Sequence, residues 1–327
     1  MSIAYGQNQT LGPPDLGALQ RLRLLEAGER PPLGQAPLGR VIAPPTKTWT
    51  LTPGVAKKSS GTFGLDLSYY ETDDCRINWQ TVAAVGVRYV YLEMTKGETS
   101  YPSVIHNWEQ LESLHVSKTL FRGAYHFLLP NADLGTDATA QANKFLTTIG
   151  AVSGRKPVEF PPILDIEPTK TPITPGTAEF NNCTRRSSDG DHNYCDMWYK
   201  MNPQDIVKLA LNWTTMVKRA TGQDVMIYSS PGAWTQVVGT SGQPLVAGKA
   251  IWIARYSADG GPDKDPKWPS DTWNSTWNMP ALFGGASYPS VTYNVPNFWQ
   301  FSATARLSQS PFSCTGSPDP TGQLDFS

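Results

Sequence analysis

Cysteine is scarce in this chain of 327 residues: there are four. Cys75, Cys183, Cys195 and Cys314 are too few for a disulfide scaffold, and none forms the Cys-x-x-Cys spacing of a zinc site. No apolar run approaches the roughly 18 residues of a membrane span, so no crossing is expected. Neither charge dominates. Lys and Arg number 27 against 28 Asp and Glu, and the net charge of −1 supplies no basic field for nucleic acid. Gly-x-Gly-x-x-Gly and Walker sequences are missing, which removes the loops that cradle phosphates. No Ser or Cys nucleophile is evident near His126, which argues against a hydrolytic triad. The opening residues carry no charged n-region and no apolar h-region, so no secretory signal is expected and another delivery route is needed. No metal and no cofactor are called for.

Aromatic residues, by contrast, are plentiful, with 11 Trp and 13 Tyr. Such rings stack on sugars, but they also fill cores, and most are expected to do the second. Residues 1–61 read as an N-terminal extension, an anchor or linker distinct from the remainder of the chain. Eight prolines (Pro13, Pro14, Pro31, Pro32, Pro37, Pro44, Pro45 and Pro53) break it up, and seven basic residues against three acidic ones over 1–60 leave it at +4. One island there has helical spacing: Asp15 as N-cap, Leu16, Leu19, Leu22 and Leu25 as a stripe, and Gly28 as a stop. The extension reads either as a flexible leader or as an anchor whose leucine stripe docks on a protein partner.

From residue 62 to 327 strands and helices alternate. Strands are expected over 62–68, 87–94, 120–129, 162–167, 224–230, 250–257, 297–302 and 323–326. Helices are expected over 77–85, 103–114, 136–149 and 203–221, with a polar insertion at 168–201 and loops after 230. Repeated strand–helix units with right-handed crossovers give a parallel sheet, and eight strands suggest closure. The fold class is α/β: an irregular TIM-like barrel of about five β/α units plus three further strands. Cys183 and Cys195 flank a polar loop in the insertion that a disulfide would clip.

The chemistry points to Phe160-Pro-Pro-Ile-Leu-Asp-Ile-Glu-Pro168. Side chains alternate along a strand, so Asp165 and Glu167 share a face, about 7 Å apart at ~3.3 Å per residue. Two carboxylates so placed gain nothing in a core. They suit a site where one acid is protonated and the other ionised, the requirement of glycosidic cleavage. Asp66, between outward-facing Leu65 and Leu67, and Asp325, in the closing strand, would join them, since barrel sites lie at the C-terminal strand ends. In Gly123-Ala-Tyr-His-Phe127, Tyr125 and Phe127 share one face. His126 on the other reads as a satisfied core residue or a functional one.

Together Gly64-Leu-Asp-Leu-Ser68, Arg88-Tyr-Val-Tyr-Leu92, Gly123-Ala-Tyr-His-Phe127, Pro162-Ile-Leu-Asp-Ile-Glu167, Ile227-Tyr-Ser229, Ile251-Trp-Ile-Ala-Arg-Tyr256, Phe298-Trp-Gln300 and Leu324-Asp-Phe326 occur in an order that resembles the family 25 glycoside hydrolases, N-acetylmuramidases of the phage-endolysin and Chalaropsis type. The resemblance implies hydrolysis of the β-1,4 bond between N-acetylmuramic acid and N-acetylglucosamine in peptidoglycan. It casts Glu167 as general acid, its proton held by burial and the neighbouring ionised Asp165, which would stabilise the oxocarbenium-like state or orient the acetamido group. Asp66 and Asp325 would complete the acidic cluster. Tyr125, Tyr256, Trp299, Tyr228 and Tyr69 would line the sugar groove. The implied setting is the bacterial wall, reached as a phage lysin or virion component, or as an effector. The other classes are a non-catalytic glycan-binding or tail-assembly protein on the same barrel, and a different barrel hydrolase.

The chain departs from the family in two places. The second strand ends Glu93-Met-Thr-Lys-Gly97, where relatives carry Lys-Ala-Thr-Glu-Gly. The insertion at 168–202 is longer than expected, and its position after the catalytic strand suggests a lid or a restriction on substrates.

Overall fold

The computed structural model describes residues 2–6, 18–23, 50–51, 61–69, 75–84, 87–116, 120–130, 137–150, 159–189, 192–247, 249–254, 298–302, 306–307 and 312–314. In chain order the strands begin with β1 (Ser2–Gly6), β2 (Ala18–Arg23), β3 (Thr50–Leu51), β4 (Gly61–Leu67), β5 (Cys75–Ile77), β6 (Val87–Lys96), β7 (Phe121–Phe127) and β8 (Ile163–Asp165). Then come β9 (Thr171–Ile173), β10 (Arg186–Asp189), β11 (His192–Cys195), β12 (Met226–Ser229), β13 (Ile251–Ala254), β14 (Phe298–Ser302), β15 (Arg306–Leu307) and β16 (Phe312–Cys314).

The main sheet closes in the order β1-β14-β13-β12-β8-β7-β6-β4-β2. Every neighbouring pair from β2 round to β14 is parallel, and β1 runs antiparallel between β14 and β2. Helices Trp79–Ala84, Pro102–Val116, Asp137–Thr148 and Pro203–Thr221 link successive strands, as parallel pairing requires. The longest shows why these residues fold where they do. Asn202 caps it by accepting from the Asp205 N–H, Pro203 occupies its first turn, and Gly222 ends it at φ 72° with its N–H on the Lys218 carbonyl. Ile206, Leu209, Ala210, Trp213 and Val217 recur at helical spacing and are buried against the barrel's outer face.

Period-2 alternation splits the strands between two cores. Leu65, Leu67, Val90, Leu92, Ala124 and Leu164 pack outward beneath the helices. Tyr89, Tyr91, Tyr125, Ile163, Met226, Tyr228 and Trp252 pack inward with Phe160 and fill the lumen. Tyr89 and Tyr91 fit because their barrel neighbours are glycines: a Cβ on Gly64 or Gly123 would stand 2.2 Å from the Tyr89 or Tyr91 ring. The lumen is therefore a packed aromatic floor rather than a pore.

Three expectations change. The leucine-spaced island at 15–28 contains the strand Ala18–Arg23 instead of a helix, because parallel pairing with β4 overrides local spacing. A helix at Pro231–Val237 stands where loops were expected, and its signal was legible: Ser230 caps the Ala233 N–H and Pro231 opens the turn. The insertion is not loop. It folds as a three-stranded sheet, β10-β11-β9, with a short helix Ala178–Asn182. The expected closing strand at 323–326 lies outside the described residues.

Candidate active site

Asp66 and Asp165 lie at the C-terminal ends of β4 and β8, with Glu167 just beyond. On β4 the inward series Gly64, Asp66, Ser68 alternates with the buried outward leucines, and Asp66 pairs in register with Tyr91 of β6. On β8 the inward residues are Ile163 and Asp165, with Asp165 between Phe127 of β7 and Tyr228 of β12. Regular strand ends at Asp165, shorter than the expected 162–167, yet the backbone beyond stays pinned. The Asp165 carbonyl accepts from Leu128 N, Ile166 N donates to the Tyr228 carbonyl, and the Ile166 carbonyl accepts from Ser229 Oγ at 2.8 Å. The Glu167 carbonyl accepts from the Trp198 indole N–H, also at 2.8 Å. A chain held at three successive residues delivers Glu167 in a fixed place just above Asp165.

Burial agrees with this picture. Asp66, Asp165 and Glu167 are 2, 5 and 2 % exposed, and Glu93 is 4 % exposed. Carboxylates are rarely so enclosed unless function or pairing demands it. Glu93 is the residue that sequence reasoning passed over. It continues the inward series Tyr89, Tyr91 on β6 and pairs in register with Tyr125 of β7. Its signal was the same alternation that revealed Asp165 and Glu167.

Beyond Glu93 the β6–β7 register slips, so that Thr95 faces His126 and Lys96 faces Phe127. One extra residue, Met94, reverses the alternation, and bulges of this kind re-aim side chains beside functional sites. Lys96 consequently reaches the inward side, its Nζ 4.7 Å from the centre of the Phe127 ring. Phe127 is in turn the register neighbour of Asp165.

The expected aromatic residues divide. Tyr125 and Tyr228 are buried in the lumen cluster below the acids. Tyr69 is half-buried just past β4 and stacks on Tyr101 at 4.2 Å between ring centres. Trp299 occupies the β14 position beside Ile253 of β13, while Gln300 is beside the lumenal Ala254. Tyr256 and Asp325 lie outside the described residues. His126 is a fully buried core residue on the helix side of β7. Among the described residues no group of His, Cys, Asp and Glu could hold a metal ion.

A family model for the glycosyl hydrolases family 25 matches residues 65–309. The chain belongs to that family. Lysozyme M1 of Streptomyces globisporus is 26% identical over 252 residues, covering 76% of this chain and 64% of that protein. The N,O-diacetylmuramidase of Chalaropsis sp is 24% identical over 196 residues, covering 60% of this chain and 78% of its own length. An uncharacterized protein, YegX of Escherichia coli K12, is 27% identical over 172 residues, 51% of this chain and 47% of its own. The chain thus spans less than two thirds of Lysozyme M1 and about half of YegX. Among solved structures, the bacterial lysozyme from Streptomyces coelicolor aligns over 80% of this chain and 94% of its own, at 21% identity and a TM-score of 0.47. Family 25 membership covers Asp66, Glu93, Asp165 and Glu167 within the matched span, and Asp325 falls beyond it.

Proposed function

We propose that this chain is a muramidase that hydrolyses the β-1,4 bond between N-acetylmuramic acid and N-acetylglucosamine in peptidoglycan. One observation carries the reading: buried Asp165 ends β8 and buried Glu167 follows two residues on, in a chain of glycosyl hydrolases family 25. Two relatives, a lysozyme and an N,O-diacetylmuramidase, support the same substrate.

The roles follow from placement. We assign one retained proton to Glu167, since like charges on neighbouring carboxyls disfavour full ionisation of both. Glu167 passes that proton to the glycosidic oxygen as the bond from oxygen to the anomeric carbon breaks. Asp165, ionised and one step deeper, faces the positive charge that develops at the anomeric carbon. Water then adds to that carbon and returns a proton to Glu167. Asp66 and Glu93 extend the negative field around the developing cation, with Asp325 proposed as their partner from the last strand. Tyr69, half-buried just past β4, and Tyr256 are proposed as surfaces that meet the sugars, while Tyr125 and Tyr228 form the floor packed beneath the acids.

The setting we infer is the bacterial cell wall, with the chain delivered as a phage lysin or virion component; residues 1–60, of which β1 and β2 belong to the main sheet, are proposed as the contact to a delivery protein. Among the described residues no helix is long and apolar enough to cross a membrane. The test of the activity is digestion of purified peptidoglycan by the wild type and by Glu167→Gln. Lysis by the wild type should expose muramic acid at the new reducing ends, and the isosteric variant should fold but lose ~10²-fold or more. Glucosamine reducing ends, or full activity in Glu167→Gln, would sink the reading.

A further inference from the structure

Residues 168–202 leave the barrel directly after Glu167 and return before the helix Pro203–Thr221. Their position suggests a lid; their bonding does not. Asp196, buried, is a hub: its Oδ1 accepts from Thr169 N at 3.0 Å, from Thr169 Oγ1 at 3.3 Å and from Trp198 N at 3.3 Å. Its Oδ2 accepts from Arg185 Nη1 at 3.3 Å and from Gln236 Nε2 at 2.8 Å. Thr169 Oγ1 in turn accepts from Met197 N at 2.6 Å. Both ends of the insertion are thus joined to each other, and Gln236 joins them to the helix Pro231–Val237.

The next link leads to the acid. Asp196 caps the 3-10 turn Met197–Lys200, which fixes Trp198, and the fully buried Trp198 ring directs its N–H at the Glu167 carbonyl. The residue before Asp196 is Cys195, disulfide-bonded to Cys183 at the end of the short helix Ala178–Asn182. An unbroken path runs from the disulfide through Asp196 and Trp198 to the backbone of Glu167.

We propose that Trp198 is a positioning residue for Glu167, and that the insertion at 168–202 is a rigid brace latched by Cys183–Cys195 rather than a moving lid. The proposal rests on Glu167 being the general acid, because a proton donor displaced by a fraction of an ångström loses its reach to the glycosidic oxygen. Trp198 touches no substrate; it acts by holding the main-chain carbonyl of Glu167 against tilting.

The decisive variants are Trp198→Phe, which keeps an aromatic ring and removes the N–H, and the double variant Cys183→Ser/Cys195→Ser. Trp198→Phe should lower kcat on peptidoglycan about tenfold, leave KM within about twofold, and shift the limb of the pH profile that reports the acid. The double variant should shift kcat in the same direction and speed hydrogen exchange at the Thr169 amide, with amides of β6 and β7 unchanged. A folded Trp198→Phe enzyme with wild-type kcat and pH profile would overturn the proposal. So would unchanged Thr169 protection in the double variant, a reading that holds even if Trp198→Phe does not fold. Should the wild type fail to digest peptidoglycan, the muramidase reading falls, while the exchange measurement still decides the brace.

Discussion

The imidazole of His126 lies flat on the indole of Trp213, ring centres 4.9 Å apart and planes 14° from parallel. This pair sits on the helix side of β7, back to back with the lumenal Tyr125. His126 Nε2 is 3.0 Å from Gln141 Oε1, and Nδ1 is 2.7 Å from Thr95 Oγ1. Gln141 is oriented by Leu129, which donates its N–H to Oε1 and accepts from Nε2. With a carbonyl oxygen facing it, His126 Nε2 must carry the proton, and Nδ1 accepts from the Thr95 hydroxyl. The histidine is a neutral strut that ties β6, β7 and the helix Asp137–Thr148 together.

That assignment predicts acid lability with a definite sign. Burial pushes the His126 pKa from 6.5 down to about 3, against a smaller opposing pull from Gln141. The neutral state is favoured on folding, so its contribution is complete above pH 6.5 and erodes as pH falls toward 3. Stability should drop by roughly 2 kcal/mol by about pH 5 from this group alone. Urea midpoints at pH 7 and pH 5 measure it. A His126→Asn protein should be less stable at pH 7 and show a flatter dependence, and a titration of His126 above pH 5 by NMR would contradict the assignment.

Gly123→Ala should destabilise the barrel by about 1–3 kcal/mol, because the new Cβ would meet the Tyr91 ring. Tyr91 contacts Trp252 at 5.1 Å between ring centres and donates its hydroxyl to the Pro161 carbonyl, so the floor under Asp165 must shift as well. Thermal unfolding reads the first effect and kcat the second. A neutral outcome in both would show that the floor is plastic.

Arg122 makes Lys a poor substitute at its position. Its guanidinium donates to the Trp108 carbonyl at 2.9 Å and to Glu159 at 3.2 Å, and lies 4.1 Å from the centre of the Trp108 ring. Arg122→Lys should cost about 1–3 kcal/mol, since an ammonium cannot reproduce both bonds and the stacking. Turnover by the folded fraction should be unchanged, because the group is on the outer face. Denaturant melts and specific activity test the two halves.

Glu93→Gln and Asp66→Asn should each lower kcat by about tenfold, less than the ~10²-fold or greater loss of Glu167→Gln. Both remove charge from the field without removing the donor. Steady-state kinetics on peptidoglycan will rank the three, and a Glu93→Gln enzyme as active as wild type would remove Glu93 from the site.

Much of this was written along the chain. Asp165 and Glu167 declare a shared face because a strand repeats every two residues, and the helix Pro203–Thr221 declares its ends through Asn202, Pro203 and Gly222. The pairing of Cys183 with Cys195 was visible as a clip across a polar loop. These are local properties, fixed by backbone geometry within a few residues. Lys96 is different: its inward placement depends on a one-residue slip against β7, which no pattern within β6 contains. The strand at Ala18–Arg23 likewise exists through its pairing with β4, against a spacing that locally favours helix. Trp198 had no mark in the sequence at all, since its meaning comes from a carbonyl 31 residues away. Local geometry chose which side chains could share a face; only the closure of the sheet and the return of the insertion decided which of them meet, because those contacts depend on register and long-range packing.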